Sequence, residues 1–141
     1  MPKSGKKHGR LWKVLVGLGI LLVVIVVGMG AVLLGTEGQR REDRNLKIAD
    51  VDIATIPDGT YLGSYRGWNK FDVVVTVSGG NITSIKIAEG SPAQATDVTD
   101  DILQRVVNGQ SLQVDAVSGA TVTTNGLLKA VENAVVSQRT Q

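Results

Sequence analysis

Between Val14 and Leu34 the chain carries 21 consecutive residues with no charge and no strong hydrogen-bonding side chain. As an α-helix this run is about 31 Å long, close to the hydrocarbon thickness of a bilayer. A domain of the size left over cannot cover a helix that is apolar on every side, so the run reads as a transmembrane helix. Lys3, Lys6, Lys7, Arg10 and Lys13 precede it. Arg40, Arg41 and Arg44 follow it, diluted by Glu37, Glu42 and Asp43. The bias of basic residues puts the N-terminus in the cytoplasm and the rest of the chain outside. Trp12 stands where an interfacial anchor belongs. A cleaved signal peptide calls for a shorter apolar region and a small-x-small cleavage site, so an uncleaved single-pass anchor is expected.

The 141 residues include one His and no Cys. The absence of Cys removes thiol catalysis, disulfides, thiolate metal sites and lipoprotein anchoring. The one imidazole, His8, lies in the basic tail, so no Ser-His-Asp site or imidazole-bound zinc is available to the folded part. The net charge of +2 divides into +5 over the first 13 residues and −3 after Leu34. A nucleic-acid partner is therefore not expected: the basic residues lie across the membrane from the domain. The tail sets topology and meets anionic lipid headgroups.

Gly35 to about Asn45 is polar and charged and reads as a juxtamembrane linker. Imperfect alternation over Leu46–Ile56 suggests a first strand or an extended lead-in. Pro57-Asp58-Gly59 signals a turn. Thr60–Arg66 alternates Tyr61, Gly63 and Tyr65 on one face, as a strand does. Phe71–Ser78 is a clearer strand, with Val73, Val75 and Val77 on one face; Gly79-Gly80-Asn81 turns it into a returning strand over Ile82–Ala88. After a loop, Thr99 is expected to cap a short helix ending at Asn108-Gly109, and Leu112–Val117 suggests one more short strand. A last helix, capped by Thr123 or Thr124, is expected from Asn125 to about Gln138, with Leu127, Leu128, Val131, Ala134 and Val135 as its apolar face. Asp97, Asp100 and Asp101 together suggest a metal cluster, but Asp100 and Asp101 read better as helix N-terminal acids, and no Ca²⁺-loop pattern is present. The sum is an α+β domain, a small antiparallel sheet packed by two helices.

The stretch Ser118–Thr124 holds four hydroxyls, at Ser118, Thr121, Thr123 and Thr124, with the small residues Gly119 and Ala120 among them. It runs straight into a helix N-terminus. Small residues let a ligand reach the backbone, and the first amides of a helix have no internal partner, so such a stretch suits a phosphate. An ordinary capped helix after a glycine turn has the same composition.

Asp115-x-x-Ser118-Gly119-Ala120-Thr121, followed by Val-Thr-Thr-Asn and an amphipathic helix, resembles the signature of the FMN-binding domain family. That domain is found in flavin subunits of ion-pumping NADH:quinone reductases and related complexes, and in small membrane-tethered extracytoplasmic flavoproteins. Pro57-Asp-Gly-Thr-Tyr-Leu-Gly63 and Asn81-Ile-Thr-Ser-Ile85 resemble its opening hairpin, so the likeness covers about residues 57–138. It implies FMN held by a phosphoester bond to the last hydroxyl of the motif, here Thr121. A separate Mg-dependent flavin transferase makes that bond with FAD as donor. Asp115 corresponds to the motif's leading acid and is implied in recognition by the transferase or in holding its metal. Ser118, Gly119 and Ala120 shape the turn, and Thr123 and Thr124 are placed to hold the phosphate. A threonine hydroxyl needs a base or a metal to activate it, and no His lies nearby, which suits modification in trans. Among the aromatics Tyr61, Tyr65, Trp68 and Phe71, Trp68 and Tyr65 are the first candidates to flank a flavin ring.

The expected organisation is thus a basic cytoplasmic tail (1–13), a transmembrane helix (14–34), a juxtamembrane linker (35–56) and an FMN-binding domain (57–138). No acid–base pair or substrate pocket is evident. The chain reads as an electron carrier between membrane redox donors and extracytoplasmic acceptors rather than as a stand-alone oxidoreductase. The alternative is a non-redox envelope module with the same fold.

Overall fold

A computed structural model describes residues 8–137. The residues before His8, and the expected helix end at Gln138, lie outside the described residues. The chain divides into two compact units that part between Gly38 and Gln39.

The first unit is most of helix α1 (His8–Arg44), whose large apolar side chains from Trp12 to Leu33 are exposed. It is long and apolar enough to cross a membrane, by length and composition. The helix does not stop at the end of the apolar run but continues to Arg44, so its last turn belongs to the second unit.

The second unit is the α+β domain. β1 (Gly59–Arg66), β2 (Lys70–Ser78) and β3 (Asn81–Ile87) form an antiparallel meander in the order β1-β2-β3. Phe71, Val73, Val75 and Val77 of β2 are buried, as strict alternation demands. In β1, Tyr61, Gly63 and Tyr65 pair with Val75, Val73 and Phe71 and so share their face. In β3 the register slips next to Thr76 and Val77, because Val77 pairs with Ile82 and Thr76 with Ser84. Thr83 is the extra residue of a bulge, which brings Ile82 and Ile85, three apart in sequence, onto the same core face. The side-chain amide of Gln110 accepts from the Ile82 amide at 2.8 Å and donates to its carbonyl at 2.9 Å, standing in for a strand partner.

α3 (Thr121–Val136) lies across β1 and β2, and α2 (Asp97–Gly109) against β3. Gly63 sets the approach of α3: a Cβ there would overlap the Ala130 carbonyl oxygen and stand 2.6 Å from the Ala134 Cβ. Ile102, Leu103 and Val106 of α2 and Leu127, Leu128, Val131 and Val135 of α3 close the core.

One alternative is decided and four local expectations change. Leu46–Ile56 is the extended lead-in rather than the strand, with one 3-10 turn at Ile53–Thr55. Leu112–Val117 is irregular as well. Side chains take the backbone groups that a ladder would need: Glu132 accepts from the Ala49 amide, and Gln113 donates to the Ile48 carbonyl. The segment expected as a linker is also partly core, since Val51, Ile53 and Ile56 are buried. α2 is capped by Thr96 rather than Thr99. The Thr99 hydroxyl reaches back to the Thr96 amide at 2.8 Å and completes a reciprocal capping box. α3 begins at Thr121, four residues before the expected start, and Ala120 caps it with no side-chain bond.

Candidate functional site

The motif enters α3 through a tight turn. Gly119 has φ +78, a left-handed conformation natural to glycine, and the Ala120 amide bonds the Val117 carbonyl at 2.9 Å. The first intrahelical bond runs from the Thr124 amide to the Ala120 carbonyl at 2.8 Å. The amides of Thr121, Val122 and Thr123 are therefore the donors that a helix start leaves without intrahelical partners. With no side-chain cap at Ala120, they keep their capacity for an outside acceptor.

The four hydroxyls are in different situations. Ser118 is exposed. Thr121, now the first helical residue, is half-buried and lines a cleft of about 190 Å³ with Gly119, Ala120, Val122, Thr123 and Arg44. The Thr123 hydroxyl accepts from the Asn69 side-chain amide at 3.0 Å. Thr124 differs from expectation. It is fully buried, donates to the Ala120 carbonyl at 3.0 Å and accepts from the Val117 amide at 3.4 Å, so its hydroxyl is spent on the helix's own first turn.

An adjoining cleft of about 240 Å³ is lined by Arg40, Arg44, Trp68, Asn69, Gly119, Val122 and Thr123. Trp68 lies on this wall, and Arg40 stacks over its ring at 3.9 Å from the centroid. Tyr65 is placed otherwise. Its ring faces the helix, with Gly126 leaving room for it, and its hydroxyl donates to Asp43 at 2.6 Å. Burial, then the bond and charge of Asp43, push that hydroxyl above its ordinary pKa of 10.0. The other carboxylate oxygen of Asp43 accepts from the Trp68 amide at 2.7 Å. Asp43 is only 2% exposed, so a single buried carboxylate fixes Tyr65 and Trp68 to the last turn of α1. Asp115 lines a separate cleft of about 500 Å³ with Leu46–Ile48 and Leu112–Val114 and is itself exposed.

Sequence reasoning missed Arg40 and Arg44 at the motif. In sequence they lie about 75 residues away, among acids, and read as linker charge. Their i, i+4 spacing was the available signal, because it puts both on one face of a helix that runs past the apolar stretch. Asn125 completes the junction by donating to the carbonyls of Asp43 and Arg44, at 3.0 Å each.

Free helix amides, hydroxyls and guanidinium groups around two adjoining clefts, with an indole on the wall of the second, suit a phosphate joined to a flat aromatic group.

Residues 67–136 match the FMN-binding domain family. The chain is 36% identical over 80 residues to the NADH:acrylate oxidoreductase of Vibrio harveyi, an alignment that takes in 55% of this chain and 8% of that protein. It is 28% identical over 132 residues to an uncharacterized protein of Treponema pallidum, covering 91% of this chain and 37% of the relative. The chain thus spans little more than a third of one relative and less than a tenth of the other. It carries an FMN-binding domain, is a flavoprotein, and has FMN as its cofactor.

Proposed function

We propose that this protein is a membrane-anchored flavoprotein that holds FMN covalently on Thr121 and passes electrons between membrane redox donors and extracytoplasmic acceptors. The observation that carries the site is the position of Thr121, the first residue of α3, with its side chain on a cleft and three unpaired amides around it. The bound flavin supplies the redox chemistry.

The chain's own residues supply the rest. The amides of Thr121, Val122 and Thr123 meet the phosphate at the positive end of α3. Gly119 keeps the approach to the backbone open. Asn69 holds the Thr123 hydroxyl, and Trp68 offers the ring face that Arg40 leaves free. In the attachment step the Thr121 oxygen forms a bond to the FMN-side phosphorus of FAD, the pyrophosphate bond breaks, AMP leaves, and the hydroxyl proton passes to a base. The chain has no His near Thr121, so the base and the metal belong to the flavin transferase. The exposed Asp115 is available to that enzyme for recognition. Anchoring rests on the exposed apolar length of α1, and the orientation on the basic tail. A covalent link suits a domain outside the cell, where a dissociated cofactor diffuses away.

The test is intact mass and in-gel flavin fluorescence after denaturation, on the full chain co-expressed with a flavin transferase. A gain of one FMN less one water, absent in Thr121→Ala, is expected. Denaturation-resistant flavin retained in Thr121→Ala overturns the site. No gain in the wild type, with the transferase active on another substrate, overturns covalent attachment.

A further inference from the structure

We infer that Arg44, seconded by Arg40, is the cationic clamp for the FMN phosphate, so that the last turn of α1 is part of the cofactor site and not only a tether. The inference rests on the FMN reading above and adds the residues that select the phosphate-bearing form of the flavin.

Three observations carry it. First, Arg44 lines both clefts at the start of α3, beside Thr121 in one and beside Trp68 and Asn69 in the other, and Arg40 lines the second. Secondly, neither arginine is ion-paired among the described residues. The ion pairs among the described residues are Arg66–Asp72, Arg105–Asp101 and Lys129–Glu132. Asp43, next to Arg44 in the chain, spends both oxygens on Tyr65 and Trp68. Thirdly, the turn that bears the arginines is held in place. Asn125 of α3 ties the carbonyls of Asp43 and Arg44, and the Asp43 side chain ties the same turn to β1 and to the loop after it. Holding the backbone of this turn fixes where both arginine side chains start, which lowers the ordering cost of binding an anion there.

The chemistry points to a phosphate. The helix N-terminus contributes amide donors, which a phosphate monoester only partly satisfies. A guanidinium adds two parallel N–H donors matched to two phosphate oxygens, together with a full charge. Arg40 is engaged with the indole and contributes charge and packing, whereas Arg44 is free to contact the anion directly. Riboflavin has the same ring system and no phosphate, so the clamp appears as preference for FMN over riboflavin.

The experiment uses the full chain in detergent, produced in a host without a flavin transferase, and titrated with FMN and with riboflavin by flavin fluorescence. The wild type should prefer FMN. Arg44→Gln should cut FMN affinity by about ten- to a hundredfold and leave riboflavin affinity unchanged. Arg40→Gln/Arg44→Gln should abolish the preference. Arg44→Lys should keep part of it, and Arg41→Gln, which removes the same charge from a residue outside both clefts, should keep all of it. Preference for FMN retained in the double variant overturns the clamp. So does an equal loss of riboflavin binding in Arg44→Gln, which would give Arg44 a structural role. A wild type without preference overturns it too. Failure of the covalent reading is seen separately, as a missing mass gain in the co-expressed protein, and leaves these titrations intact.

Discussion

Asp43→Ala tests the junction that holds Trp68 and the arginine-bearing turn. The buried carboxylate accepts from the Tyr65 hydroxyl at 2.6 Å and from the Trp68 amide at 2.7 Å, and no cation is paired with it among the described residues. Two effects compete. Burying the charge costs free energy, which the substitution recovers. Removing it strands two donors that bond a charged group, each bond contributing about 1.5–3 kcal/mol. Both bonds are short and the site is nearly closed, so the second effect should win, with a net loss of about 3–5 kcal/mol. Asp43→Asn keeps an oxygen for the Trp68 amide and turns a donor toward the Tyr65 oxygen, and should cost about 1 kcal/mol. The assay is urea unfolding of the full chain in detergent, in a Trp12→Phe background that leaves Trp68 as the one tryptophan. A cycle with Tyr65→Phe should return a coupling of about 1.5–3 kcal/mol. A coupling within about 0.5 kcal/mol of zero would refute the reasoning, because that is ordinary additivity. A neutral or stabilising Asp43→Ala would do so as well, by showing that desolvation outweighs the bonds.

Gly63→Ala should destabilise by about 3 kcal/mol or more, because the new Cβ meets α3 backbone rather than a movable side chain. At about 4–8 °C per kcal/mol, the melting temperature should fall by more than 10 °C, and an unchanged melt would rule out the packing of α3 on β1. The Tyr65 hydroxyl has a raised pKa in the folded state, so its contribution is complete below the unfolded value near 10.0 and is lost as pH climbs above it. The stability gap between wild type and Tyr65→Phe should therefore be level from neutral pH to about 10 and narrow beyond. A gap that widens there would contradict the assigned bond.

Part of this architecture was legible along the chain because it depends on neighbours in sequence. The 21-residue apolar run, the alternation of Phe71, Val73, Val75 and Val77, and the Gly79-Gly80 turn each follow from local periodicity, and each appears where it was read. The start of α3 did not follow, because threonines near a helix start read equally well as caps or as first-turn residues. Thr124 was settled by its back-bond to Ala120, and Thr121 thereby moved from the loop onto the helix.

Sequence alone determined the anchor-length helix, the hairpin and the identity of the Ser118–Thr121 motif, for which a few adjacent side chains and one backbone turn suffice. The tertiary structure decided which distant residues surround that motif. Arg40 and Arg44 stand beside it because Asp43 buries its carboxylate under Tyr65 and Trp68, while Asn125 caps the same turn from across the domain. The physical reason is that a buried carboxylate and open helix carbonyls must find donors, and the donors that satisfy them come from segments that periodicity and spacing cannot bring together.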